Sequence, residues 1–508
     1  MGQSSTGASG LLMRGLALLL LAAFVSFATV AAAQTAAPDL PDIGNPADAV
    51  LTSSEEYRIG AMIVRQLRDQ NQIIEDPEVD EYIQDLGSRI AAQAQDGQQR
   101  FHFFVVKDPG INAFALPGGF IGVNHGLILT TNNESQLASV IAHEVAHVTQ
   151  RHIARAINAQ GRQSLTSAAA ILAAILIGAV SGSGDAIQGG IAAAQGAAAQ
   201  QQINFTRSNE NEADRVGIGF LANAGFDPRE MPNFFEIMGR RYVLEKTRVP
   251  EFLQSHPITS NRIAESRARA AQFDRTKHVD DSVGYSLIRE RLRVIAAPTE
   301  QDLRPYYAQR VSGKNPRLAD QYGMALAQIA RNDPKKAVSI LGPLTDDHEG
   351  AILLQVALGQ AETDANMTND ALGTFAHAMQ LFPRNVPLTV RYAEALMKAD
   401  KPKQAHEILL DLFNNVPPTP AQIRLTALAA SAAGDMGDAY YYMSEYHISS
   451  GELPLASQQL ELALASPNLT PVQKERFQAR LDEIREYLAE DRRAARARQT
   501  SNEGGSLR

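Results

Sequence analysis

The 508 residues carry 56 Asp and Glu against 47 Lys and Arg, a formal charge of −9, with no cysteine. A mild acidic excess without a basic stripe argues against a nucleic-acid partner, and no disulfide or lipid-modified cysteine is available. The length allows more than one domain, each able to bury a core without cross-links.

In chain order, Arg14 precedes an apolar run over 15–30, and Ala31-Ala32-Ala33 before Gln34 offers a small-residue cleavage site. That pattern predicts a signal peptide over 1–33, with a retained membrane anchor as the alternative, then a linker over 34–49. A first domain is expected over 50–290. In it, Pro117-Gly118-Gly119 predicts a turn before the β-prone run Phe120-Ile121-Gly122-Val123. This run reads either as a strand whose free edge holds an extended peptide, or as part of an ordinary hairpin.

Asn133, an acid at 134 and apolar spacing thereafter predict a helix that carries His143-Glu144-Val145-Ala146-His147. Positions four apart on a helix lie about 40° from each other, so both imidazoles reach one Zn²⁺, and Glu144 is placed to take a proton from the attacking water. His152, nine past His143, is read as structural and on the same helix. Between 163 and 206 the only charged residue is Asp185. This Ala/Gly-rich stretch, too short in its apolar runs to span a bilayer, reads as a core hairpin, a lid or a membrane-contact patch.

Downstream, Glu210-Asn211-Glu212-Ala213-Asp214 places two acids four apart on a predicted helix. Glu210 is the candidate third ligand and Asp214 the acceptor for a ligand imidazole N–H, the alternative being a solvated acidic face. His256 and Arg262 follow in His256-Pro257-Ile258-Thr259-Ser260-Asn261-Arg262.

Past residue 300, Ala337, Ala371, Ala405 and Ala439 recur every 34 residues, each preceded twelve earlier by Ala325, Gly359, Ala393 or Ala427. A 34-residue period with small residues at helix contacts predicts tetratricopeptide repeats over 300–490, and such arrays bind proteins. Ala456 suggests an added half-repeat or cap, and the basic run at 492–498 reads as a disordered tail over 491–508.

HEVAH followed by ENEAD resembles the M48 zinc metallopeptidases, and the segments at 112–123 and 256–262 are similar to that family's edge strand and HPxTxxR loop. The resemblance implies a mainly α protein: a zincin-like α+β domain, helical with a small sheet, followed by an α-solenoid. It implies one zinc per chain on His143, His147 and Glu210, with Glu144 as catalytic base and Asp214 in support. Phe120, Ile121, Gly122 and Val123 would line the substrate. His256 either donates to the oxyanion or takes a fourth metal position and holds the enzyme latent; Arg262 is the other candidate for oxyanion charge.

A periplasmic group of the family joins such repeats to the peptidase. That similarity implies an endopeptidase acting on unfolded or stalled outer-membrane proteins, docked through the repeats to the β-barrel assembly machinery. It further implies association with the outer membrane. The rival reading is a periplasmic chaperone or scaffold whose catalysis is silenced.

Overall fold

A computed structural model describes residues 52–94, 100–159, 207–245, 251–273 and 279–505, all within one compact unit, Leu51–Arg508. The expected signal peptide, the linker and the Ala/Gly-rich stretch lie outside the described residues. No described helix is long and apolar enough to cross a membrane.

Helix α1 (Ser53–Asp69) starts with a reciprocal cap between Thr52 and Glu55, and α2 (Pro77–Ala91) starts at Asp76 with a proline in its first turn. Strands β1 (His102–Val106), β2 (Ala113–Leu116) and β3 (Phe120–Asn124) form a sheet of order β1-β3-β2. Strand β3 runs parallel to β1 and antiparallel to β2. Between β2 and β3 the turn needs glycine at 118, where φ is 78° and a Cβ would lie 2.4 Å from the Tyr57 Cα. Alternation along β1 sends Phe103 and Val105 into the main core and Phe104 and Val106 against Ile63 and Leu67 of α1, so the sheet is covered on both faces.

Strand β3 corrects the expectation for Phe120, Ile121, Gly122 and Val123. Their backbone is paired on both sides, so no peptide can add there. The outer edge of β1 is partly covered by the chain around Ile73, whereas β2 is the other edge strand.

A short helix α3 (His125–Thr130) leads to α4 (Glu134–Thr149), which is capped by the Asn133 side chain as expected and buried along nearly its whole length. Arg151 then adopts φ 51° before α5 (His152–Ala159), so His152 opens a new helix rather than continuing α4. Next come α6 (Arg207–Asn223), α7 (Glu230–Glu245), α8 (Glu251–Ser255) and α9 (Ser260–Ala270). Helix α6 buries Glu210, Ala213, Asp214, Gly217 and Leu221, one face at helical spacing, directly on α4.

Helix α10 (Val283–Ile295) is shared: Tyr285, Ile288 and Leu292 enter the core of the first domain, and Leu287 enters the first core of the repeats. After α11 (Arg304–Val311) the repeats stack as pairs of consecutive helices. These are α12 (Leu318–Ala330) with α13 (Pro334–Asp347), and α14 (Ile352–Asp364) with α15 (Thr368–Leu381). Then follow α16 (Val386–Lys398) with α17 (Pro402–Phe413), and α18 (Pro420–Ala432) with α19 (Met436–Ser449). The periodic alanines are buried at the helix contacts, and a Cβ at Gly359 would meet the Phe375 ring at 2.6 Å.

The array ends with α20 (Leu453–Ala465) and α21 (Pro471–Gly505). The last helix runs through the residues expected to be a disordered tail, in keeping with the high helix propensity of their Ala, Arg, Gln and Glu.

The repeats rest on the first domain through a buried ionic cluster. Arg391 of α16 and Arg291 of α10 converge on Asp76 and Glu78 at the start of α2. Burial would raise the Asp76 carboxyl, yet Arg291 and then Arg391 hold it at about 2.

Candidate metal centre

Two helices build the site. On α4, the four-residue spacing puts His143 and His147 on one face, and their Nε2 atoms lie 3.0 Å apart. From α6, the Glu210 carboxylate comes within 3.5 Å of each: Oε2 to His143 and Oε1 to His147. All three side chains are buried. Their donor atoms form one mutually close group with His256.

His256, at the end of α8, is also buried. Its Nδ1 lies 3.0 Å from Glu210 Oε1 and 3.3 Å from His143 Nε2, and its Nε2 lies 3.5 Å from Glu144 Oε1. Glu144 is fully buried, with the Ala115 backbone beside its carboxylate. Burial therefore raises its carboxyl above the ordinary range, opposed by His256 and His143. A carboxylate so placed is poised to accept and return a proton.

The remaining groups brace the candidate ligands. His143 turns its Nδ1 to Asp214 Oδ1 at 3.0 Å. Burial would lower the His143 imidazole, but Asp214 and Glu210 lift it to about 9. His147 moves the opposite way, well below its ordinary value, through burial and the neighbouring His143. Burial would also raise Glu210, yet His256 and His143 keep it well below the usual carboxylate range.

These positions suit a small cation held by two imidazoles and a carboxylate, with Glu144 next to it. The sequence pattern of peptidase family M48 matches residues 77–270, and that of the tetratricopeptide repeat matches 362–430. The chain is 33% identical over 483 residues to the beta-barrel assembly-enhancing protease of Escherichia coli strain K12, an alignment covering 94% of this chain and 97% of that one. It is equally 33% identical over 450 residues to the protein of that name from Yersinia pestis, covering 88% and 91%.

The chain belongs to peptidase family M48.

A more distant similarity, 34% over 158 residues, links this M48 enzyme to the Arabidopsis thaliana mitochondrial metalloendopeptidase OMA1, covering 31% of this chain and 29% of that one. As an M48 metallopeptidase it depends on a metal, and the convergent His143, His147 and Glu210 supply a fitting donor set.

Arg262 differs from the expectation of an oxyanion donor. Its guanidinium is committed behind the ligands: Nε and Nη2 donate to the two Asp214 oxygens at 2.7 and 2.8 Å, and Nη1 reaches the Pro257 carbonyl and Glu210 Oε2. Thr259 caps α9 and sets Arg262 on its first turn facing α6. Arg262 thus positions Asp214 and Glu210.

Two further residues at the site escaped the sequence reading. His152 Nδ1 lies 2.9 Å from His147 Nδ1, and His152 Nε2 lies 3.2 Å from Glu212 Oε2. The sequence reading set His152 on the same helix as His143, where five residues past His147 is about 140° away. The left-handed Arg151, tied to Glu56 at 3.0 Å, swings it back.

Proposed function

We propose that this M48 enzyme is a zinc-dependent endopeptidase of the periplasm that hydrolyses misfolded or misassembled outer-membrane proteins docked by its repeats. The observation that carries this reading is the convergence of His143 Nε2, His147 Nε2 and the Glu210 carboxylate beside Glu144. Ligand atoms about 2.0–2.1 Å from a tetrahedral zinc lie about 3.3–3.5 Å from one another. The separations here, 3.0 Å between the imidazoles and 3.5 Å from each to Glu210, support that ion.

Zinc held by His143, His147 and Glu210 supplies Lewis acidity that activates water and polarises the scissile carbonyl. Glu144 takes the proton of the attacking water and gives it to the leaving amine. Asp214 and Arg262 fix the ligand geometry. An extended substrate adds along the outer edge of β2, Ala113–Leu116, which packs beside α4. The 1–33 segment, read as a signal peptide, supports the periplasm, and the name of the bacterial relatives supports a role in barrel assembly.

The expected result for Glu144→Gln is retained zinc by elemental analysis and no cleavage of unfolded casein. Retained proteolysis in the zinc-loaded variant overturns the assignment.

The place of His256 among the ligands favours a second reading, a latent or silenced protease that serves as a chaperone for outer-membrane protein assembly. Release of activity in His256→Ala supports latency. Continued silence with client binding supports the scaffold, and lost activity supports a direct role for His256 in the reaction.

A further inference from the structure

The two ligand imidazoles are supported in parallel ways. His143 leans on a carboxylate of α6, Asp214, which is in turn clamped by Arg262. His147 leans on His152, then Glu212 of the same helix, and Glu212 Oε2 also lies 3.0 Å from Arg155 Nη1. His152 has no exposed surface and stands with its ring at 75° to that of His147, centroids 4.8 Å apart. The acids of Glu210-Asn211-Glu212-Ala213-Asp214 are thus divided: one to the metal side and one behind each imidazole.

We propose that His152 and Glu212 form a positioning relay for His147, an inference that rests on the zinc reading above. With Nε2 of His147 turned to the metal, its Nδ1 carries the proton and donates to His152 Nδ1. His152, in the complementary tautomer, donates from Nε2 to Glu212. Each ring then has one donor and one acceptor in use, and the tautomer of the ligand is fixed from outside. Interposing a neutral ring also keeps Glu212 one imidazole further from a site that already holds Glu144, Glu210 and Asp214. Arg151, through its left-handed turn and its contact with Glu56, delivers His152 to this place.

The test uses the full chain and zinc itself. His152→Phe fills the space without a nitrogen, His152→Asn restores an acceptor near the Nδ1 position, and Glu212→Gln removes only the charge. By competition with a chelator, His152→Phe is expected to bind zinc about 10- to 100-fold more weakly. Asn should recover much of that, and Glu212→Gln should show a smaller loss. The cobalt-substituted absorption bands should shift in His152→Phe while the Tm of the metal-free protein stays near that of the wild type.

Unchanged zinc affinity and cobalt bands in His152→Phe overturn the relay. Where that variant does not fold, unchanged zinc affinity and cobalt bands in Glu212→Gln overturn it. Wild-type protein that binds no zinc sinks the functional reading instead. The contact is then judged by nitrogen-15 imidazole shifts of His147, which must move in His152→Phe or His152→Asn if the hydrogen bond exists.

Discussion

Gly217 and Ala142 meet backbone to backbone: a Cβ at 217 would lie 3.0 Å from the Ala142 carbonyl oxygen and 3.2 Å from the His143 nitrogen. Gly217 stands about two turns beyond Glu210 on the same face of α6, so this approach sets how far the Glu210 carboxylate reaches toward α4. Gly217→Val forces the helices apart. Overpacking of this kind costs about 1–3 kcal/mol, and zinc affinity should fall with it. Thermal unfolding and zinc titration read both effects, with Gly217→Ala expected between the variant and the parent; wild-type zinc binding in Gly217→Val would remove the helix gap as the determinant.

Arg262→Ala leaves Asp214 buried without its clamp. Breaking a buried pair from one side costs about 3–5 kcal/mol, measurable as a shift in the denaturant midpoint. Arg262→Lys should recover only part, because an ammonium cannot reproduce the two-pronged contact. Both variants should also hold zinc more weakly, since Asp214 fixes the His143 ring. A stable Lys variant with native zinc affinity would show that a point charge suffices.

The junction between repeats and peptidase predicts a pH profile. Burial raises Glu81 to about 7, against the hydrogen bond from Asn385. With its folded value above the unfolded one, its contribution is full below about 4.5 and is lost as pH rises through 7. Asp76, held at about 2 by Arg291 and Arg391 against its burial, behaves oppositely: its contribution is present above about 4 and fades as pH falls toward 2. Glu81→Gln should therefore gain on the order of 1 kcal/mol over the parent at pH 8 and nothing near pH 4.5. Urea midpoints at the two pH values check this; an equal gain at both would assign the effect to packing.

Chelation should lower the Tm, and readded zinc should restore it. A ligand that binds only the folded state at one hundred times its Kd adds about 2.7 kcal/mol. Glu210→Gln should lose most of this chelator-sensitive difference. If the variant responds to chelator as the parent does, the ion sits elsewhere.

The helices were legible from their caps and spacing, as at Asn133, and the four-residue spacing of His143/His147 and of Glu210/Asp214 anticipated that each pair shares one helix face. The repeats were equally plain because Ala337, Ala371, Ala405 and Ala439 recur at one interval. What sequence did not show depends on contacts between distant segments. Phe120–Val123 has strand composition whether it lies at an edge or in the middle, and only the return of β1 beside β3 decides. Arg262 looks free for catalysis until Asp214 claims both prongs of its guanidinium. His152 was hidden by one left-handed residue, Arg151, a conformation that no side chain in that stretch announces. The last helix was obscured by its polar, basic composition, which suits a solvated helix as well as a loose tail.

Helix α10 gives one row of side chains to the catalytic half and another to the solenoid. A cut made beyond it would strip Leu287 of its neighbours, and a cut made before it would do the same to Tyr285, Ile288 and Leu292. The two halves should therefore melt in one cooperative transition, seen as a single calorimetric peak for the full chain.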